Sequence, residues 1–373
     1  MKIITPSNKP RLLIVGSFPK RKIFGGIQQS CKLIIDSSFF SDFELILFDS
    51  SQISNPPPTF IIRFYLAGIR TFRFLFNLFK KRPQAALIFC SDGASALEKG
   101  LMVWICKVFR IKTFIFPRAG NLINQTKNSF FFGKCIKYLF FKANAFLAQG
   151  VNWNFFATEV LKFSPNRIKV LYNWTATEDL LSIGEKRKYT GEKSITKFLF
   201  VGWLEKEKGL FELLESINAI NKKNLPFSIT FIGDGNGMKS AQKFVTENQL
   251  SDKVIFEGWI THDSINSFYQ AADVFVLPSW AEGMPNALIE ALSCGLAAIV
   301  SNVGMIPNYL EDRTNALIIN PKDSEHLGAA MKELILDIKL RKKISKNGHL
   351  ISKQYFSTNK GLEAMANTIN KLL

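Results

Sequence analysis

Two carboxylates eight residues apart, Glu282 and Glu290, stand out as groups that can do chemistry. They lie in the run Pro278-Ser279-Trp280-Ala281-Glu282-Gly283-Met284-Pro285-Asn286-Ala287-Leu288-Ile289-Glu290, which follows the strand-like Asp273–Leu277 and opens a helix. Pro285 suits a first helical turn, where its missing N–H is no loss. Gly283 lets the backbone approach a ligand closely, and the free N–H groups near residues 286 to 288 can receive an anion. A phosphate held there has a carboxylate on either side, and each carboxylate can grip hydroxyls. That chemistry suits a sugar joined to a nucleotide by a diphosphate.

The elements that must position these groups alternate. Short apolar runs at 11–16, 43–49, 85–90, 112–116 and 145–148 predict buried parallel strands, with helical stretches between them, including 60–82 and 94–110, and a closing strand within 168–174. The first strand is followed by a loop ending in Gly25 and Gly26 and then a helix running to about Phe39, the phosphate-side arrangement of a Rossmann unit. That loop is too long and lacks the G-x-G-x-x-G pattern, so a dinucleotide site is not expected. Thr175 to Ser194 is polar and aperiodic, the mark of a linker. A second alternation begins at Lys197–Val201. The expected architecture is α/β with two Rossmann-like domains: 1–175, a linker at 176–195, a second domain at 196–355, and a final helix at 356–373.

With its flanks, the paired glutamate run resembles the signature of the family-4 retaining glycosyltransferases, which have the two-Rossmann-domain GT-B fold. That family reads Pro-Ser, Glu-Gly-x-Pro, then Glu-Ala-x-x-Cys/Ala-Gly. The stretch Val201-Gly202-Trp203-Leu204-Glu205-Lys206-Glu207-Lys208-Gly209 is similar to the family's V-G-R-L-x-x-x-K-G, with Trp203 in place of the usual arginine. Gly233-Asp234-Gly235 resembles the turn beside the family's nucleotide pocket, and Val254–Ile260, containing Trp259, resembles the strand and turn that meet the base. The resemblance covers nearly the whole chain and is strongest from 197 to 321. It implies parallel sheets facing across a cleft, with the donor on the C-terminal side and the acceptor on the N-terminal side.

The same resemblance assigns roles. Glu290 would hold ribose hydroxyls. Glu282, with Gly283, Met284, Asn286 and Ala287, would orient the sugar and the β-phosphate. Lys208 would offset the charge gained by the leaving nucleoside diphosphate. Gly202 and Gly233 would border the donor, and Gly25 and Gly26 would close over it. Arg118, in a loop where many family members carry a histidine, is a further candidate at the reacting centre. Loss of the arginine at Trp203 leaves the site one cation short unless Arg118 or Lys206 supplies it. No D-x-D metal motif occurs, and no metal or other cofactor is expected, the nucleotide sugar being a substrate. The implied activity is sugar transfer with retention, in surface polysaccharide, lipopolysaccharide or glycolipid synthesis. Two other readings keep the fold: a non-catalytic nucleotide-sugar-binding partner of a transferase complex, and a nucleotide-sugar epimerase or hydrolase.

Composition adds a second theme. The chain has 373 residues, 47% of them hydrophobic and 21% charged, and its formal charge is +18. Residues 1–180 carry +16 of that and the remainder +2, so the excess asks for a local anionic partner. In 60–82, Arg63, Arg70, Arg73, Lys80 and Lys81 fall within an arc of roughly 100° and the rest is apolar and rich in Phe. Segment 129–142 repeats the basic, aromatic mixture. Such helices suit an anionic membrane interface, with the Phe side expected against the sheet and the basic face outward. A lipid-linked or oligosaccharide acceptor is expected, and no nucleic acid. No signal peptide or membrane-spanning run is expected, and the five cysteines show no CxxC spacing. The expected location is the cytoplasm, at the inner face of the plasma membrane.

Overall fold

The computed structural model describes residues 9–18, 26–51, 59–188 and 195–373, excluding the side chains of Phe60, His262 and Asp263. The chain divides into two compact units, Met1–Trp174 with Asn359–Leu373, and Thr175–Thr358. Gly25 lies outside the described residues, as does 189–194 of the expected linker.

The first unit has a six-stranded parallel sheet made of β1 (Arg11–Gly16), β2 (Glu44–Asp49), β3 (Ala85–Cys90), β4 (Lys112–Pro117), β5 (Ala145–Ala148) and β6 (Ile168–Val170), in the order β2-β1-β3-β4-β5-β6. The helices between them are α1 (Gly26–Ile35), α2 (Phe60–Lys81), α3 (Gly93–Val108), α4 (Asn121–Asn128), α5 (Phe130–Phe140) and α6 (Val151–Phe155). Strands covered on both faces must be apolar throughout, and β3, with every residue buried, shows it. The C-terminal helix, Thr358–Asn370, packs Leu362, Met365, Ala366 and Ile369 into this unit's core beside Trp174 and Phe116.

The second unit repeats the plan. It comprises α7 (Glu178–Glu185), β7 (Thr196–Val201), α8 (Leu210–Asn221), β8 (Phe227–Ile232), α9 (Met238–Glu247), β9 (Val254–Gly258), α10 (His262–Ala271), β10 (Val274–Leu277), α11 (Asn286–Ser293), β11 (Ala297–Ser301), β12 (Leu317–Ile319), α12 (Ser324–Leu336) and α13 (Ile338–Tyr355). The sheet order is β12-β11-β10-β7-β8-β9. From β7 the chain moves outward to β8 and β9, then returns to place β10 on the other side of β7. That reversal makes a switch point, and the loops at the carboxyl ends of β7 and β10 border the crevice where such sheets take ligands.

Three features differ from the sequence reading. Helix α1 stops at Ile35, and a separate 3-10 turn, capped by Ser37, spans Ser38–Phe40. Residues 178–185, expected to be linker, form a helix because Thr177 caps it, Glu178 and Asp179 suit its first turn, and Leu180 and Leu181 find a core to enter. The third is the rotation of α2. Among its described large side chains only Phe74 and Leu78 are buried, while Ile61, Tyr65, Phe72, Phe76 and Phe79 are exposed. Arg70, expected on an outward basic face, instead turns in and makes a two-pronged ion pair with Glu98 of α3, at 2.7 and 2.9 Å. At 100° per residue Arg70 falls on the same side of α2 as the buried Phe74 and Leu78, so the bidentate pair and these two apolar side chains together fix the helix's rotation. Arg63, Arg73, Lys80 and Lys81 do face outward.

Candidate active site

The loop after β7 and the loop after β10 are tied together at the switch point. Lys208 Nζ lies 2.5 Å from Glu282 Oε1, linking residues 74 positions apart. Ser279 Oγ donates to the same oxygen at 2.8 Å. Both donors use Oε1, so Oε2 of Glu282 keeps acceptor capacity for a ligand hydroxyl among the described residues. Glu282 is 11% and Lys208 27% exposed at the side chain, so the pair is sheltered yet open to a ligand. Backbone contacts hold the two loops in register: Trp280 N–H donates to the Glu207 carbonyl at 2.9 Å. Gly209 has φ +74°, and a Cβ there would run into the Pro278 carbonyl. Only glycine permits that approach.

Behind this pair stands α11. Pro285 is its N-cap, with ψ 129°, and Asn286 and Ala287 begin its first turn, where backbone N–H groups have no partner within the helix. Met284 is buried, and the Gly283 carbonyl accepts from Met305 N–H at 3.0 Å, so the turn leading into the helix is pinned from β11's side. Glu290, one turn further in, is buried among the apolar residues of α11. A buried carboxylate needs partners, and Tyr269 of α10 supplies one: its hydroxyl lies 2.9 Å from Glu290 Oε2 and 3.4 Å from the Ala287 carbonyl. Burial, and then the neighbouring Glu290 charge, push the Tyr269 hydroxyl well above its ordinary range. Tyr269 therefore remains a donor across the working range of pH.

Arg187, just beyond α7, fastens the ends of both helices. Its guanidinium donates to the carbonyls of Cys294 at 2.7 Å, Ala272 at 2.6 Å and Tyr269 at 2.6 Å. These are carbonyls that α10 and α11 leave unpaired at their C-termini, where a cation is favoured.

The remaining glycine turns interlock beside β7. Gly233 has φ +134°, and a Cβ there would strike the Gly202 carbonyl. Leu204 N–H donates to the Asp234 carbonyl at 3.0 Å and Gly237 N–H to the Leu204 carbonyl at 2.8 Å. Gly233 N–H donates to Gly258 O at 2.8 Å, which brings the turn carrying the exposed Trp259 alongside. Trp203 is half-buried between these turns. Lys206, a candidate for the missing cation, seats its ammonium over the ring of Trp280 at 5.3 Å, with Lys322 on the same ring at 4.4 Å.

Gly26 and Arg118 belong to the first unit. Gly26 is the first residue of α1. The Arg118 guanidinium lies over Phe116 at 5.1 Å and Trp174 at 5.0 Å, and its Nη2 donates to Ser30 Oγ at 3.1 Å. Ser30 Oγ in turn donates to the Gly26 carbonyl at 3.0 Å, so Arg118 braces the turn that begins α1. Burial pushes the Arg118 guanidinium down to about 10, where it keeps its charge at neutral pH.

Three participants escaped the sequence reading: Tyr269, Ser279 and Arg187. Ser279 stands in the quoted Pro-Ser pair and was legible there. Tyr269 falls on the apolar side of α10 with Ile265, which reads as core. No group of three or more His, Cys, Asp or Glu suited to a metal occurs among the described residues.

Comparison with known proteins agrees with this geometry. Residues 183–350 match the family of glycosyl transferases group 1. That match covers most of the second unit. An uncharacterized glycosyltransferase of Methanocaldococcus jannaschii is 30% identical over 190 residues, 51% of this chain and 50% of the relative. The lipopolysaccharide core biosynthesis glycosyltransferase LpsE of Rhizobium meliloti is 25% identical over 183 residues, 49% of this chain and 52% of its own. The chain thus spans about half the length of these curated relatives. Among solved structures, HepE of Anabaena, in complex with UDP and glucose, superimposes with a TM-score of 0.72 at 16% identity, covering 97% of this chain and 99% of HepE. That likeness fixes the fold class as GT-B, the two-domain α/β architecture expected.

Proposed function

We propose that the chain is a retaining glycosyltransferase that moves a sugar from a nucleotide-diphosphate sugar to a lipid-linked or oligosaccharide acceptor in surface polysaccharide, lipopolysaccharide or glycolipid synthesis. The observation that carries this reading is the Lys208–Glu282–Ser279 cluster beside the N-terminus of α11, with Glu290 buried one turn behind. An anion at that N-terminus meets aligned N–H groups and the positive end of the helix. The names of LpsE and of HepE with UDP and glucose support the substrate class and the biosynthetic setting.

In this scheme Glu290 accepts ribose hydroxyls, with Tyr269 holding its other oxygen. Trp259 and the Gly202/Gly233 turns border the base, and Glu282 Oε2 takes a sugar hydroxyl. The acceptor oxygen forms a bond to the anomeric carbon while the bond from that carbon to the β-phosphate oxygen breaks, and the departing phosphate receives the acceptor's proton on the same face. Lys208 and the α11 N-terminus offset the charge that develops on the diphosphate, a stabilisation felt most in the transition state. Arg118 holds the turn at Gly26, on the acceptor-handling unit. Peripheral attachment at an anionic leaflet brings that unit to its acceptor.

A panel of nucleotide sugars, incubated with and without bacterial lipid extract, tests the reading. Nucleoside diphosphate release that depends on the lipid fraction and yields an axial or equatorial product matching the donor's own configuration is expected. Tight nucleotide-sugar binding with no release under any condition would favour a binding partner, and product formed without an acceptor would favour an epimerase or hydrolase.

A further inference from the structure

The exposed surface of the first unit has a feature that sugar transfer does not require. Along α2, Ile61, Tyr65, Phe72, Phe76 and Phe79 share one side, with Ile61 81% and Phe72 72% exposed. At 100° per residue these positions fall within about 60° of one another, a continuous stripe. Gly68 lies on the same side, and a Cβ there would meet nothing within 4 Å. On α5, Phe130 and Phe131 are 78% and 79% exposed. Both helices flank α3, Phe79 meeting Phe109 edge-on at 4.9 Å and Tyr138 lying 6.5 Å from Trp104, so the two aromatic groups belong to one face. A face of this size is more apolar than scattered exposed side chains make.

The rotation that exposes the stripe is held from within. Arg70 and Lys99 both grip Glu98, an acid that is almost fully buried, so α2 cannot turn its Phe side inward without breaking a sheltered ion cluster.

The geometry points to this α2–α3–α5 face as a surface that inserts into an anionic lipid monolayer, aromatic side chains at headgroup depth and lysines at the rim. Charge decides the occupant. Residues 60–142 hold 15 Lys and Arg against 2 Asp and Glu, a net +13. A second copy would bring the same charge to the same face and be repelled, whereas an anionic leaflet attracts each outlying cation. The lysines stand where this requires: Lys134 lies over the Phe130 ring at 4.3 Å, Lys142 over Tyr138 at 5.2 Å and Lys80 over Phe76 at 5.8 Å. Each ammonium sits against the face of an aromatic ring, so the exposed face presents cation and aromatic side by side. No helix among the described residues is long and apolar enough to cross a membrane, so α2, 22 residues long, would lie flat. Stable attachment takes two signals, and the face supplies both, apolar area and basic charge.

This inference deepens the proposed lipid-linked acceptor, but its test contains neither donor nor acceptor. The full chain is floated with vesicles of phosphatidylcholine containing about 30% phosphatidylglycerol, and with phosphatidylcholine alone. Wild-type protein is expected to float with the anionic vesicles, with partitioning that falls as salt rises. F72S/F76S/F79S should lose at least about tenfold in partitioning at low salt. R73Q/K80Q/K81Q should lose most of the salt-sensitive part. Both variants should keep the wild-type melting transition and far-ultraviolet circular dichroism, which certify the folding of the first unit, while binding of a nucleoside diphosphate, which concerns the second unit, should be unchanged. Wild-type protein that fails to float, or a triple Phe variant that floats like wild type, would overturn the inference. So would a wild-type dimer in sedimentation that the Phe substitutions split, since a second copy would then be the occupant. A protein that floats but transfers no sugar leaves this surface standing and defeats only the proposed activity.

Discussion

Removing the Tyr269 hydroxyl is the sharpest probe of how Glu290 is held. In Tyr269→Phe the ring and its packing stay, and the losses are the 2.9 Å contact to Glu290 Oε2 and the long 3.4 Å contact to the Ala287 carbonyl. A hydrogen bond to a charged acceptor contributes about 1.5–3 kcal/mol, and the fully buried site offers no easy replacement by water. At about 2–4 °C per kcal/mol for a unit of this size, the melting temperature should fall by roughly 3–12 °C. Binding should suffer as well, because the carboxylate loses one of the contacts that order it before the ligand arrives. Ordering one side chain costs about 0.5–1.5 kcal/mol, which predicts a nucleoside diphosphate Kd weaker by about 2- to 12-fold. Calorimetric titration and thermal melting on the same samples measure both. Turnover at saturating donor should change little, since the hydroxyl does not touch the reacting bond. A Y269F protein with wild-type nucleotide affinity and melting temperature would refute the idea that Tyr269 positions Glu290. A double-mutant cycle with Glu290→Gln should show coupling, whereas strictly additive losses would place the two residues in independent roles.

The two glutamates should separate kinetically: Glu290→Ala raises nucleotide Kd markedly, while Glu282→Ala chiefly lowers kcat, by about 10²-fold or more. Gly209→Ala forces a Cβ into the Pro278 carbonyl at a positive φ, and should cost about 1–3 kcal/mol of stability, read by denaturant titration; a neutral effect would mean the β7 and β10 loops are not docked as described. Acid stability should depend on Glu98. Burial favours its neutral form, but the Arg70 pair and the Lys99 charge outweigh that and hold its carboxyl below the usual range. The stability from this shift is therefore present above about pH 4.3 and lost as pH falls through the lower folded-state value. Melting curves between roughly pH 6 and 3 should show a steeper acid decline for wild type than for Glu98→Gln, and parallel declines would contradict the assignment.

Much of this was legible in the residues because it depends on local order. Strands such as Ala85–Cys90 announce themselves by unbroken apolarity, and Glu282, Pro285 and Glu290 sit at fixed spacing around one helix start. Lys208 and Glu282 were each identifiable, yet their salt bridge follows from the parallel pairing of β7 with β10, which no local pattern states. The holding groups were hidden for the same reason: Tyr269 reads as a core residue on α10 until Glu290 is placed opposite. Arg187 lay near the end of a stretch without visible periodicity, although α7 precedes it. A helix of 8 residues with a single pair of buried leucines gives too little pattern to register. Helix α2 shows the limit of reading a helical face. Its periodicity separates basic from aromatic sides, but the side turned inward carries Arg70 with Phe74 and Leu78, and the Arg70 partner, Glu98, lies on another helix.

The central claim is that Lys208 and Glu282 act together on a nucleotide-diphosphate sugar, and steady-state release of nucleoside diphosphate by matched variants tests it most directly. With the donor that wild type uses, Lys208→Ala should lower kcat by about 10²–10³-fold while leaving nucleotide Kd within a few-fold, and Lys208→Ala/Glu282→Ala should lose much less than the product of the two single effects. Release at the wild-type rate by Lys208→Ala, with the fold intact by melting, would contradict the account.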